Sequence, residues 1–134
     1  MYFKLLNKKE CHDGLQYKTG LNTLKPGEKF NPSGDCKPGG IYFAAEDIFE
    51  FLGLDNYIYV REVTLPADAQ FYKNPGEPVK WKADKVILGR KRRLDNPKTI
   101  QWMLDNGAKI TNWALKLASD NSHTKIVKLL LKHK

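Results

Sequence analysis

Cys11 and His12 stand side by side, and Cys36 follows twenty-five residues later, so one segment offers three soft metal-ligating atoms. Structural zinc takes four such ligands in paired spacings; the pairs are missing, and no metal site is expected. The two thiols are within reach of a single bridge, but two cysteines in a chain of this size read as reduced thiols. The only adjacent carboxylates, Glu46 and Asp47, fall in the first turn of a predicted helix, where the helix dipole already explains them. No G-x-S-x-G, P-loop or G-x-G-x-x-G pattern occurs, so neither a catalytic residue nor a cofactor is expected. One strong cation cluster remains: Arg90, Lys91, Arg92 and Arg93, with Lys80, Lys82 and Lys85 upstream. Such a run grips nucleic-acid phosphates or serves as a nuclear-import address. It equally arms an edge strand against sheet-to-sheet association. Trp81 is the single aromatic nearby on which a base would stack.

The net charge of +8 is unevenly placed. Residues 1–79 hold 9 Lys and Arg against 11 Asp and Glu, whereas residues 80–134 hold 14 against 4. That asymmetry points to an acidic partner for the C-terminal half. The composition, 41% hydrophobic and 28% charged, is that of a globular chain of 134 residues with a real core. No apolar run reaches the ~20 residues of a membrane span. The first nine residues meet charge too early for a secretory leader.

The elements that must position these groups change character near residue 95. Before it, short strands alternate with turns: residues 2–6, 14–18, 21–24 and 41–44, with a Gly- and Pro-rich loop over 25–40. Residues 45–53 carry Ile48, Phe49, Phe51 and Leu52 at helical spacing and predict a covering helix. Residues 57–65 form the clearest strand, ended by Pro66, and a last strand pair is predicted between Val79 and Leu94. Beyond it the period becomes 3.6. Asp95-Asn96-Pro97 is a helix start, and Ile100, Met103 and Leu104 make its stripe. Thr111-Asn112 and Asn121-Ser122 cap two more predicted helices.

Residues 114–131, reading A-L-x-L-A, a short turn ending in His123, then I-V-x-L-L-L, resemble one ankyrin repeat. Residues 99–108 are similar to the second helix and exit turn of a preceding repeat, offset by 27 residues where an ordinary unit has ~33. Ser122 stands where the repeat usually has Gly. In the N-terminal part Tyr2-Phe3-Lys4-Leu5, Gly14-Leu15-Gln16-Tyr17, Cys36-Lys37-Pro38-Gly39-Gly40-Ile41-Tyr42-Phe43 and Arg61-Glu62-Val63-Thr64-Leu65-Pro66 come in order. This succession is similar to the N-terminal module of ankyrin-repeat proteins of mimivirus-type giant viruses. Gly40-Ile41-Tyr42-Phe43-Ala44, followed by a helix and Val60–Leu65, also resembles the core of ADP-ribosyltransferases. That likeness would give Tyr42 the role of stacking on the nicotinamide end of NAD. The His-Gly of that family's first strand has no counterpart in Leu5-Leu6-Asn7, and no Glu follows Glu77, so the likeness implies a degenerate domain.

The expectation is an α+β protein: a small, mostly antiparallel sheet with one covering helix, then three ankyrin-like helices packed on it. An α+β domain would occupy residues 1–94 and the helical segment residues 95–134. The ankyrin likeness implies a non-catalytic interaction module taking a host or viral protein on the last helix, through Lys125, Lys128, Leu129 and Lys132. That helix is also the expected dimer contact. Nucleic-acid binding through residues 80–93 is the alternative. The expected setting is the host cytoplasm or nucleus, with no secretion and no membrane partner.

Overall fold

Strand β1 (Tyr2–Asn7) is apolar on both parities, Phe3 and Leu5 on one face, Tyr2 and Leu6 on the other. A strand of that kind must be covered twice. In the computed structural model, which describes residues 1–12, 14–32, 39–112, 114–116 and 124–133, it is. Phe3 and Leu5 enter one core with Ile48, Phe49 and Val60, while Leu6 enters a second with Tyr17, Ile41, Phe43, Val63 and Leu88.

Beyond β1, the described strands are β2 (Cys11–His12), β3 (Leu15–Gln16), β4 (Gly20–Thr23), β5 (Ile41–Phe43) and β6 (Tyr57–Thr64). They continue with β7 (Phe71–Asn74), β8 (Lys80–Ala83), β9 (Lys85–Leu88) and β10 (Arg92–Arg93). The largest sheet runs β1-β6-β9-β4, with β10 also on β6; a second runs β5-β8-β7; β2 and β3 form a ribbon. Every pairing among them is antiparallel. Backbone bonds between Phe3 and Ala44, 2.7 and 3.0 Å long, tie the first sheet to the second.

This overturns the single small sheet with a covering helix and three packed ankyrin-like helices. Among the described residues there are three antiparallel sheets, with 34% strand against 22% helix. Two local causes are visible. The helix expected over residues 45–53 shrinks to one 3-10 turn, Ile48–Phe51, because Asp47 does not cap it. The Asp47 carboxylate instead accepts from the amide of Val79 at 2.9 Å. The strand pair expected between Val79 and Leu94 is not a pair. At Asp84, whose amide donates to the carbonyl of Gln70 and whose carbonyl accepts from Leu24, the chain leaves one sheet for another. Thus β8 lies between β5 and β7, and β9 between β4 and β6.

After β10, Asn96 accepts from the amide of Lys98 at 2.9 Å and caps α1 (Pro97–Asp105), whose Ile100 and Met103 are fully buried. Gly107, at φ +103°, turns the chain out of it. Residues 112 and 114–116 are helical, and Thr111 Oγ1 accepts from the amide of Ala114 at 3.0 Å. The last helix, α2 (Thr124–His133), sends Ile126 and Leu130 into the core that holds Phe3. The turn with His123, and Cys36, lie outside the described residues; Cys11 is a free thiol.

Candidate functional site

The seven cations singled out from residues 80–93 do not form one patch, because three strands in two sheets carry most of them. Lys80 and Lys82 share a face of β8 and come together on Tyr42, with Nζ 5.0 and 6.0 Å from its ring centroid. Lys82 is 2% exposed and its Nζ has no hydrogen-bond partner. Its stem fills the space that Gly40 leaves, where an added Cβ would lie 2.8 Å from Lys82 Cδ. Lys85 pairs with Asp68 at 2.9 Å. Lys91 sits 4.5 Å from the ring centroid of Tyr59 and 3.9 Å from the carboxylate of Glu10. Arg92 lies 4.0 Å over Trp102, which in turn meets Phe3 edge-on at 5.4 Å, so this cation clamps α1 to β1. Arg93 holds Asp95 in a two-bonded pair at 3.0 Å, which keeps the Asp95 carboxyl below its ordinary range. Arg90 is exposed. Trp81 is engaged by Tyr2, Phe43 and Phe71, with Lys73 Nζ 5.3 Å from its ring.

On α2, Lys125, Lys128 and Lys132 are exposed, at the three- and four-residue spacing that sets side chains on one face. Leu129, expected with them, instead packs against the core; Leu131, 57% exposed, is the apolar residue on the open side. Lys125 reaches Asp95 at 3.7 Å.

A cavity of about 350 Å³ was not foreseen in the sequence. Strand β1 supplies its floor from Lys4 to Asn7, β5 with Gly39 and Gly40 one wall, and Ile48, Phe51, Leu54 and Tyr57 another. Cys11, His12, Leu15, Tyr17 and Leu24 complete it, with Tyr42 and Lys80 among its polar residues. Lys4 is 6% exposed; its ammonium donates to the carbonyl of Tyr42 at 2.7 Å and stands 4.7 Å over the Tyr17 ring. Burial pushes it down to about 8. Burial, with Asp55 nearby, raises the Tyr57 phenol. Beside the cavity, Arg61 grips Glu10 through Nε and Nη2 at 2.9 and 3.2 Å and donates from Nη1 to Thr19 and Gly89, both at 2.7 Å. Both partners are buried, and Glu10 holds φ +50° to make the contact. Among the described residues no three His, Cys, Asp or Glu side chains converge as metal ligands. No described helix is long and apolar enough to cross a membrane.

Comparison with known proteins fits this architecture into a group. The chain is 37% identical over its whole length to "Putative ankyrin repeat protein R868" of Acanthamoeba polyphaga mimivirus, covering 68% of that protein. The chain belongs to the mimivirus ankyrin-repeat protein family. A second member, "Uncharacterized protein R869" of the same virus, is 39% identical, with 98% of this chain and 97% of the relative aligned. A third, "Putative ankyrin repeat protein L100", is 30% identical, and the chain spans 22% of its length. Within the family, therefore, the same stretch occurs in proteins of very different size. No family model and no solved structure matches the chain.

Proposed function

We propose that this member of the mimivirus ankyrin-repeat family is a non-catalytic protein-interaction module that receives an acidic segment of a host or viral protein on the open face of α2. The observation that carries it is the stripe of Lys128, Leu131 and Lys132. One exposed leucine between two exposed lysines offers an apolar anchor inside a cationic rim. Central apolar anchors with charged surroundings are how partner surfaces divide affinity from steering. The names of the relatives support the reading, and so does the excess of cations after residue 80. The nucleic-acid alternative draws less from the geometry, since Lys82 is buried and Lys85, Arg92 and Arg93 are engaged within the chain.

The test compares proteins retained from nuclease-treated, infected-cell lysate by the wild-type chain and by a Lys128→Glu/Leu131→Asp/Lys132→Glu variant with an unchanged circular dichroism spectrum. The reading expects at least one acidic protein retained by the first and lost by the second, with retention weakening as salt rises. Identical retention by the two would dispose of it, as would retention found only in a parallel lysate not treated with nuclease.

A further inference from the structure

The cavity between β1, β5 and Tyr17 has an interior charge that the described residues leave unbalanced. Lys4 sits at its floor, more than nine-tenths buried, and among the described residues no carboxylate is hydrogen-bonded or ion-paired to it. An ammonium has three N–H bonds. One goes to the Tyr42 carbonyl and one face meets the Tyr17 ring, so a donor remains. Behind the Gly40 wall lies a second buried ammonium, Lys82, with no hydrogen-bond acceptor. The two carboxylates that line the cavity are committed elsewhere. Glu28 pairs with Lys25 at 3.9 Å, and Asp55 accepts from the side chain of Asn7 and the amide of Asn56. A buried cation without a counter-charge is costly, and an anion beside it returns much of that cost. Much of the remaining wall is apolar, with Leu6, Leu15, Leu24, Phe43 and Phe51, and Lys25, Lys80 and His12 also reach it. A cavity of this size, largely apolar with a few convergent polar groups, is the form small-molecule sites take.

We propose that this cavity binds a small organic carboxylate with an apolar body, the carboxylate accepting from Lys4 Nζ and the body resting on Leu6, Leu15, Leu24 and Phe51. Of the other lining cations Lys25 is held by Glu28 and Lys80 lies over Tyr42, so the spare donor of Lys4 and the apolar side chains above it fit a single negative charge on a ring-sized or short aliphatic group. They do not fit a polyphosphate. Because burial holds Lys4 near 8, its ammonium is mostly charged at neutral pH and ready to pair. The proposal does not depend on the partner surface of α2.

Calorimetric titration of the full chain at neutral pH with 2-naphthoate and with 2-naphthylmethanol, its neutral counterpart, tests the charge. The carboxylate should bind at least tenfold more tightly, and Lys4→Met should bring the two together. The methionine keeps the unbranched stem and removes a buried charge, which favours folding. Chemical-shift mapping on the unmutated chain gives a second readout: 2-naphthoate should move the amide signals of Lys4, Tyr17 and Tyr42 and leave those of α2 in place. Equal affinity for the alcohol, an unaltered preference in Lys4→Met, or shifts clustered elsewhere would each overturn the proposal. So would affinities for both probes weaker than ~1 mM, or inorganic phosphate binding as tightly as the naphthoate.

Discussion

Lys4 and Arg61 are both buried cations, and their neighbours separate them. Arg61 has a carboxylate, a hydroxyl and a carbonyl arranged around its fork; Lys4 has a carbonyl and a ring. Lys4 is therefore a burden on the fold whose size depends on pH. Its folded value is lowered by burial from 10.5 to about 8. Below that value both folded and unfolded chains hold the proton and the burden is complete. Between about 8 and 10.5 the folded chain has released a proton that the unfolded chain keeps, so stability rises with pH. The full effect is on the order of 3 kcal/mol. Urea denaturation should show Lys4→Met more stable than wild type by about 1–3 kcal/mol at pH 7, the gap closing as the pH passes 10. A gap that stays constant over that range would contradict the assignment. Arg61 should behave in the opposite way. Arg61→Met strands the buried Glu10 carboxylate and should cost about 3–5 kcal/mol. Arg61→Lys, which keeps the charge but not the fork, should recover less than half of that in the same measurement.

Among the elements, the Lys82 stem of β8 packs against the residue just before β5 so closely that it leaves no room for a Cβ at Gly40. Gly40→Ala would drive a methyl into the packed stem of Lys82 and should lower stability by about 1–3 kcal/mol. Gly76→Ala, whose nearest neighbour would be 3.6 Å away, should be close to neutral in the same thermal melt. Elements with local signals were legible in the sequence. Asn96-Pro97 announces the start of α1, and the β-branched and aromatic run at 57–65 announces β6. What failed depended on distant partners. Ile48 to Leu52 has helical spacing, but the Asp47 carboxylate expected to favour the first turn instead accepts from the amide of Val79, thirty-two positions away. The alternation from Lys80 to Leu88 reads as part of a strand pair, and only the backbone bonds of Asp84 to Gln70 and Leu24 divide it between sheets. The cavity was hidden for a related reason. Tyr2 and Leu6 mark the face of Lys4 as apolar, but nothing local shows that the lysine itself is enclosed. Only the second cover, from Tyr17 and Phe43, turns it inward.

At the scale of the whole molecule, residues from both ends of the chain share a core. Phe3 and Leu5 of β1, Val60 of β6, Ile100 and Met103 of α1, and Ile126 and Leu130 of α2 belong to one buried cluster. Sheet and helices should therefore unfold together. Leu130→Ala removes a fully buried side chain and should cost about 2–5 kcal/mol. It should lower the helical signal in circular dichroism and the tryptophan fluorescence at the same denaturant concentration. Two separated transitions in the variant would mean that α2 is held apart from the sheet.

The pairing of β1 also sets a timetable. Asn7 meets Tyr57 and Tyr2 meets Val63, fifty and sixty-one positions further on, whereas in the ribbon of β2 and β3 His12 meets Leu15, three positions on. A long closure costs little more than a medium one, because the loss grows only with the logarithm of loop length. It is nonetheless slow to find, and chains dominated by such distant pairings fold in milliseconds to seconds rather than microseconds. Until β6 arrives, the backbone of β1 lacks its strand partner, and Phe3, Leu5 and Leu6 lack the cover of Val60 and Val63. Those three side chains are the stretch that a nascent chain must keep from sticking to its neighbours.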